Sequence, residues 1–529
     1  MPLMGGMYVG LSGLRTSQNA LNTTAHNMTN ADTDGYTRQQ VMLGTALYNT
    51  IAINSRAVAK QQIGLGATYT KTRQVRDAFL DATYRTEAGR QSFYEVSSTT
   101  LSTIEDIFGE LNDDNAFSNT MDDLWTAVQE LAKDPTSSVT QGLFVQQASA
   151  FVNNATDIYN GLTNYQDSLN EQVKQKVDQI NEYGKQLKQL NDEICNIEKG
   201  GFEEANDLRD SRNLILDKLS QLAKITYSED SYGNITVNLE GEDFVKGEVV
   251  YEIGLYQEAG TSFYTPFWTQ NATYTVDEDG NKHYKIDNAK VFDMTKEISS
   301  DKDTDIGSLK STLASRGSKR ANYEDVAEGN YTAEISQSVI MNTMAEFDQL
   351  VHNVTTKINQ ILADASDSDS KYLCNEDGTP IQIFETISDD NMTLGNIRIN
   401  QTLKQTPSLL GFVKKDGSTD YDTVQKLEQA FQDTSYTLNP NVKTPCSFTT
   451  YYNALISQIA NTGSVFNNVI TSQQSTVNAT DTARQMVAGV STEEELANMV
   501  KYQNAYNASS RYINVIDQMI EHVINALGS

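Results

Sequence analysis

Both ends of this chain carry the same spacing of apolar residues, and that spacing limits its fold more than any other feature. Leu11, Leu14, Gln18, Leu21, Ala25 and Met28 step by 3, 4, 3, 4 and 3 positions. Leu496, Met499, Gln503, Tyr506, Ser510 and Ile513 repeat those steps, and Ile516, Ile520, Val523 and Leu527 continue them after one slip of phase. Residues so spaced share one stripe of a helix, and a seven-residue repeat of this kind is the seam of a coiled coil. A helix over 6–28 would be about 35 Å long. Burying a Leu or Met contributes ~1.5–3 kcal/mol. Ordering each residue's backbone costs about 1–2 kcal/mol, and a helix hydrogen bond returns ~1 kcal/mol net. Five apolar residues and one Gln therefore do not hold such a helix alone. Each stripe needs a partner along its length: its own domain, the opposite terminus, or neighbouring copies of the chain. Ser17, Asn19, Asn22, Thr23 and Thr24 on the remaining faces can hydrogen-bond sideways and keep a free monomer soluble.

Between the two ends the texture changes several times. Asn27–Tyr36 (NMTNADTDGY) breaks the first helix, because Asn, Asp and Gly favour turns and left-handed backbone. Residues 37–72 read as irregular or extended. A helical pattern runs from Arg73 to Leu222. It includes a proline-free stretch over 157–197 with Ile158, Leu162, Tyr165, Leu169, Val173, Val177, Ile180, Leu187, Leu190, Ile194 and Ile197 at spacings of mostly 3 and 4. Near residue 225 strands take over: 234–239, 249–256, 272–276 and 282–286 are rich in Val, Ile, Tyr and Thr and separated by turn residues. Helical spacing returns over 333–362, 366–415 is turn-rich and β-like, a short helix fits 421–433, and 448 to the end is helical almost throughout.

A chain of 529 residues suggests three or four domains. Only 38% of its residues are hydrophobic, so its cores should be slender, as in bundles and rods. The net charge of −30 repels phosphate backbones and makes nucleic acid an improbable partner. The first 60 residues depart from that balance, with Arg15, Arg38, Arg56 and Lys60 against Asp32 and Asp34. Cys195, Cys374 and Cys446 are scattered and odd in number, which implies neither a disulfide framework nor a zinc cluster. No cleavable secretory signal and no apolar run of membrane-spanning length is visible, so no membrane insertion is expected.

Catalytic patterns are wanting. His26, His283, His352 and His522 are dispersed, and the chain has no H-E-x-x-H, nucleophile elbow, phosphate loop or dinucleotide fingerprint. Asp277–Gly280 and Asn375–Gly378 superficially resemble calcium loops, but neither completes the ligand spacing. Hairpin turns are the better reading of both. No enzyme activity, cofactor or metal is expected.

Gly10–Met28 followed by NMTNADTDGYTRQ resembles the N-terminal signature of flagellar rod, hook and hook-associated proteins, approximately N-I-A-N-x-x-T-x-G-Y-x-R-Q. Asn27, Asn30, Thr33, Gly35, Tyr36, Arg38 and Gln39 match it; Met28 and Thr29 replace Ile and Ala, and Asp34 stands where proline is common. Gly489–Asp517, with Glu493–Glu495, Tyr502, Gln503 and Tyr506, resembles the corresponding C-terminal signature. The long helical block before any β-structure, and Gly307–Arg316 (GSLKSTLASR), are similar to the hook-associated protein 1 family in particular. The rival readings are hook protein, the second junction protein of the same group, or a secreted adhesin or enzyme built on a β-rich middle.

That resemblance implies an elongated, multi-domain α+β protein with paired, coiled-coil-like terminal helices, a helical rod domain and a β-rich outer domain. Residues 1–72 would be the N-terminal assembly helix and extended segment, and 73–224 the first part of the rod domain. The outer β-rich domain would take 225–332, with 333–365 as the helix returning to the rod. A second β-rich or irregular outer segment would occupy 366–447, the last part of the rod 448–489, and the C-terminal assembly helix 490–529. It further implies a ring or tube of identical subunits at the hook–filament junction, outside the cell. Hook protein would lie on one side and the second junction protein or filament on the other. The flagellar type III apparatus would export the chain without a cleaved signal, and a cytoplasmic chaperone would hold its C-terminal helix.

Overall fold

The computed structural model describes all residues except 1, 55–58, 111–115, 202, 259, 277–281, 327–328, 330, 368–380, 389–390 and 528–529. Helix α1 (Pro2–Thr29) leads into strands β1 (Gln39–Thr45), β2 (Tyr48–Asn54), β3 (Ala59–Gly64) and β4 (Ala67–Gln74). Helices α2 (Ala78–Phe108), α3 (Phe117–Lys133), α4 (Ser138–Glu198) and α5 (Asn206–Leu222) follow. Next come strands β5 (Ile225–Glu229), β6 (Ile235–Leu239), β7 (Glu242–Lys246), β8 (Val249–Val250), β9 (Ile253–Gln257), β10 (Tyr264–Trp268), β11 (Thr273–Val276) and β12 (Lys282–Lys285). Helices α6 (Ser308–Arg316) and α7 (Val339–Asp367), strands β13 (Phe384–Thr386) and β14 (Ile397–Ile399), and helices α8 (Gln401–Gln405), α9 (Tyr421–Gln432), α10 (Phe448–Ala488) and α11 (Thr492–Leu527) complete the chain. The class is α+β, with small antiparallel sheets among long helices.

The chain divides into two compact units whose boundaries fall inside α2, α4 and α10 and between β8 and β9. Unit 1 comprises Met1–Gly89, Ile180–Glu252 and Gln473–Ser529. The segment 37–72, which reads as merely extended, forms two antiparallel strand pairs, β1 with β4 and β2 with β3. Strands β5–β8 form an antiparallel meander in which Ile235, Val237 and Leu239 alternate inward. Its inner face lies against the second part of α4. A Cβ on Gly184 of that helix would sit 2.6 Å from the Phe244 ring, so only glycine permits this approach. Asn191 closes the seam, donating to Ile235 O and accepting from Ile235 N.

Unit 2 comprises Arg90–Gln179 and Ile253–Ser472. Its core is aromatic and aliphatic. The rings of Phe108 and Phe117 each meet Phe347 of α7 at 5.1 Å in near edge-to-face geometry, and Phe117 meets Tyr452 of α10 at 5.2 Å. Helix α3 buries Phe117, Met121, Leu124, Val128 and Leu131, at the 3- and 4-residue steps of one helical face. Helix α6 is polar in composition yet wholly buried. Its hydroxyls and carbonyls are taken up by neighbours: Ser311 Oγ donates to Phe93 O, Gln166 Nε2 donates to Arg316 O, and Lys176 Nζ donates to Ser308 O. Gly307 before it has φ +92°, a backbone state that glycine adopts without strain.

The hairpin expected around 277–280 is present as β11 paired with β12, Tyr274 opposite Tyr284. The turn residues Asp277–Gly280 themselves, the Asn375–Gly378 segment and Cys374 lie outside the described residues. Cys195 and Cys446 are free thiols. The helix expected from 333 begins at Val339, after a single π-helical turn over Tyr331–Ile335. Among the described residues no helix is long and apolar enough to cross a membrane, and no group of three or more His, Cys, Asp or Glu is placed to hold a metal ion.

Candidate assembly site: the terminal helices and their polar anchor

Within unit 1, α1 and α11 pack along one another. They run antiparallel, since Gly6 faces Tyr512 and Ile516, Gly10 faces Ile513, and Gly13 faces Ser509. A Cβ on Gly10 would lie 2.6 Å from Ile513 Cγ1, and one on Gly13 would lie 2.5 Å from Ser509 Oγ. The helices meet through small residues that let the backbones approach. The face of α1 that is buried comprises Gly10, Thr16, Ser17, Ala20, Thr24 and Asn27. Thr16 satisfies its hydroxyl on Ser12 O of the preceding turn.

The apolar stripe of α1 lies elsewhere. Leu11 is 39% exposed, Gln18 and Ala25 are exposed, and Leu14, Leu21 and Met28 are half-buried. On α11, Ile513 and Ile516 contact α1, and Ile516 is only 7% exposed. Met499, Ser510 and Ile520 are half-buried, while Leu496 (50% exposed), Gln503, Tyr506 and Val523 are open to solvent. Val500, Val515, Met519 and Ile524 extend that apolar surface, as do Met4, Met7 and Tyr8 on α1. The Leu527 side chain lies outside the described residues. The structure thus brings Ile513 and Ile516 onto α1 and leaves much of both stripes uncovered. Sequence reasoning missed the glycines. Their signal was present in Gly6, Gly10, Gly13, Ser17, Ala20 and Thr24, a row of small residues at helical spacing.

The family motif forms the anchor beneath the pair. Asn27 is buried at the end of α1 and works as a staple. Its Nδ2 donates to Gln39 O, and its Oδ1 accepts from Gln39 N and from the Tyr36 hydroxyl. The α1 C-terminus is thereby fixed to the start of β1. Asn30 Nδ2 donates to His26 O and caps the last turn, and Thr33 Oγ1 donates to Asn30 Oδ1. Gly35 has φ +78° and packs on Leu214, so a side chain there would be strained. Arg38 reaches across the sequence: Nε donates to Glu495 at 3.0 Å, Nη2 to Glu494 at 2.8 Å, and its N–H to Ala488 O. Burial opposes the Arg38 charge, but these two carboxylates outweigh it and raise its affinity for the proton. Desolvation, with Asp207, Asp210 and Glu495 adding to it, pushes the Tyr36 phenol well above its ordinary range.

Helix α5 supplies the acidic half of the anchor. Asp207 accepts from Gln39 Nε2, and Asp210 accepts from Thr37 N and Gln74 Nε2. Burial pushes Asp210 up to about 6, only partly countered by Thr37 and Arg76. Asp81 takes both nitrogens of Arg76 at 3.0 Å and Arg484 at 2.7 Å, and Asp217 takes Arg85 and Arg484. Segments from the beginning, middle and end of the sequence are thus tied by one charged network. Its members are largely desolvated and share partners, so removing one leaves a buried charge short of its counter-ion. The Asp207–Asp210–Asp217 spacing on α5 was its only sequence trace.

Comparisons with known proteins agree along the whole chain. Residues 101–373 match the family described as flagellar hook-associated protein FlgK helical domain. Residues 7–37 match the flagella basal body rod protein family, and residues 483–526 the flagellar basal body rod FlgEFG protein C-terminal family. The chain is 26% identical to flagellar hook-associated protein 1 of Bacillus subtilis, over 99% of this chain and 98% of that one. It is 23% identical to the protein of that name in Salmonella typhimurium, over 97% and 98%. A solved structure, the flagellar hook junction protein FlgK from Burkholderia pseudomallei, aligns with a TM-score of 0.49 at 14% identity, covering 77% of this chain and all of that one. The matched helical domain spans more than half of the sequence, and the chain therefore belongs to the flagellar hook-associated protein FlgK family, structural axial proteins of the bacterial flagellum.

Proposed function

We propose that this chain is a non-enzymatic subunit that forms the hook–filament junction by self-association through its two terminal helices. The observation that carries the reading is the uncovered apolar surface on α1 and α11, two helices whose mutual contact sets glycines of α1 against Ser509, Tyr512, Ile513 and Ile516 of α11 and leaves the rest of both stripes open. That contact uses only part of the apolar surface, and the exposed Leu, Val, Met and Tyr side chains supply what neighbouring copies can bury. The assembly residues are Leu11, Leu14, Gln18, Leu21, Ala25 and Met28 on one helix, and Leu496, Met499, Gln503, Tyr506, Ile513, Ile516, Ile520, Val523 and Leu527 on the other.

The same surface explains the partners proposed from family resemblance. A ring or tube of copies contacts hook protein on one side and the second junction protein or filament on the other. Before export through the flagellar type III apparatus, a cytoplasmic chaperone covers the C-terminal helix, since an apolar stripe without its partners invites premature association. The domain division given from the sequence is retained as part of this proposal. Electron microscopy of cells lacking the protein tests it: hooks without filaments, with flagellin shed into the medium, are expected. Normal filaments on such cells would overturn it.

A further inference from the structure

Helix α7 carries a carboxylate where an acid is least expected. Glu346 has no exposed surface. Its Oε1 accepts from Asn439 Nδ2 at 2.7 Å and from the Tyr331 hydroxyl at 3.3 Å, and its Oε2 accepts from Gln458 Nε2 at 2.9 Å. Asn342, one helical turn earlier, is its fourth polar neighbour. All four are neutral. The other titratable groups facing this pocket are Tyr331, Tyr451, Cys446 and Asp348, each of which becomes an anion on losing its proton. Tyr451 Oη is committed elsewhere, 2.8 Å from Glu346 O and from Gln349 Oε1. Asp348, on the same helix, accepts from the backbone N–H groups of Tyr323 and Leu394, and the charges acting on it are His352 and Asp325.

A carboxylate buried among neutral donors and latent anions is costly to ionise, whereas the neutral acid is not. None of the groups bonded to the Glu346 carboxyl is a cation, so its hydrogen bonds offset the burial only in part.

We propose that Glu346 is held in the folded core as a neutral carboxylic acid, so that unit 2 is a proton-dependent lock, weakest near neutrality and tightened in mild acid. Burial pushes Glu346 up to about 7, against 4.5 for the free side chain. The folded chain thus holds this proton more tightly than the unfolded one. Stability rises as pH falls from about 7 towards 4.5, and is flat above 7. The inference stands apart from the junction reading, because it concerns the folding of unit 2 and not assembly.

Both tryptophans of the chain, Trp125 and Trp268, lie in unit 2, so their fluorescence reports its unfolding in the intact protein. Urea titrations of full-length protein should show the folding constant falling between about pH 5.5 and about pH 7.5, with roughly a twentyfold share due to Glu346. In Glu346→Gln, which keeps the shape and removes the titrating group, that share should vanish; Asp348→Asn should remove only its own part, at lower pH. A Glu346→Gln protein with the full pH dependence of the wild type would overturn the proposal. Should that variant not fold, carboxyl-carbon NMR of the wild type decides: one glutamate titrating near neutrality supports it, and glutamates that all titrate in the ordinary range overturn it.

Discussion

The core of unit 2 and the terminal helix pair of unit 1 are both made of long helices, but they are held in opposite ways. Around Phe347 the helices interlock through large rings, with Phe108, Phe117, Phe347 and Tyr452 all buried. Between α1 and α11, Gly6, Gly10 and Gly13 take Tyr512, Ile513 and Ile516 against their backbones, and most of the other large apolar side chains of the two helices stay open to solvent. The first arrangement buries its hydrophobic surface within the chain. The second buries a few such residues between its helices and leaves many apolar side chains exposed. Glycine adds to the contrast, since each one inside a helix costs about 1 kcal/mol relative to alanine. On the proposed reading, it is this uncovered surface that neighbouring copies complete.

The comparison breaks most visibly at the ring cluster. Phe347→Ala should remove ~3–5 kcal/mol from unit 2, seen as a shifted tryptophan unfolding transition, with amide exchange in α11 unchanged. Next comes the charged network under the pair. Burial alone would raise Asp81, but its bond to Arg76 and the charges of Arg76, Arg484 and Arg85 outweigh it and hold the group below its ordinary 3.8. The folded value is depressed, so this stabilisation is complete above 3.8 and lost as pH falls through the lower, folded value. Asp81→Asn should cost about 2–3 kcal/mol at neutral pH, less than an isolated buried pair because both arginines keep a second carboxylate. The deficit relative to wild type, read by amide exchange in α5, should vanish in strong acid.

Gly10→Val should cost about 1–3 kcal/mol locally, because the new side chain meets Ile513. Faster exchange in α11 with an unaltered unit 2 transition is the expected pattern. The smallest effect sharpens the comparison most. Leu496→Asp replaces an exposed side chain, so the monomer should change by less than about 0.5 kcal/mol, while light scattering should show self-association lost.

The terminal stripes and the family motif were legible because both are local: one is a spacing, the other a short run of turn and polar residues. The geometry joining them was not. The face of α1 in contact is glycine, alanine, serine and threonine, which hydropathy does not mark as a contact face, so the stripe drew attention to the surface left open. The partners of Arg38 lie over 450 residues away, and no local pattern pairs them. The burial of helix α6 was hidden for a related reason. GSLKSTLASR is polar in composition, and Phe93, Gln166 and Lys176 arrive from elsewhere in the chain to take its polar groups. Strands β1–β4 were hard to see because their alternation is weak, and pairing rather than side-chain pattern defines them.

Amide hydrogen exchange over residues 2–29 and 492–527, in soluble monomer and again in assembled protein, addresses the central claim. Weak protection in the monomer that rises steeply on assembly, while α7 is protected in both, is the predicted result. Terminal helices already as protected in the monomer as α7, and unchanged on assembly, would contradict it.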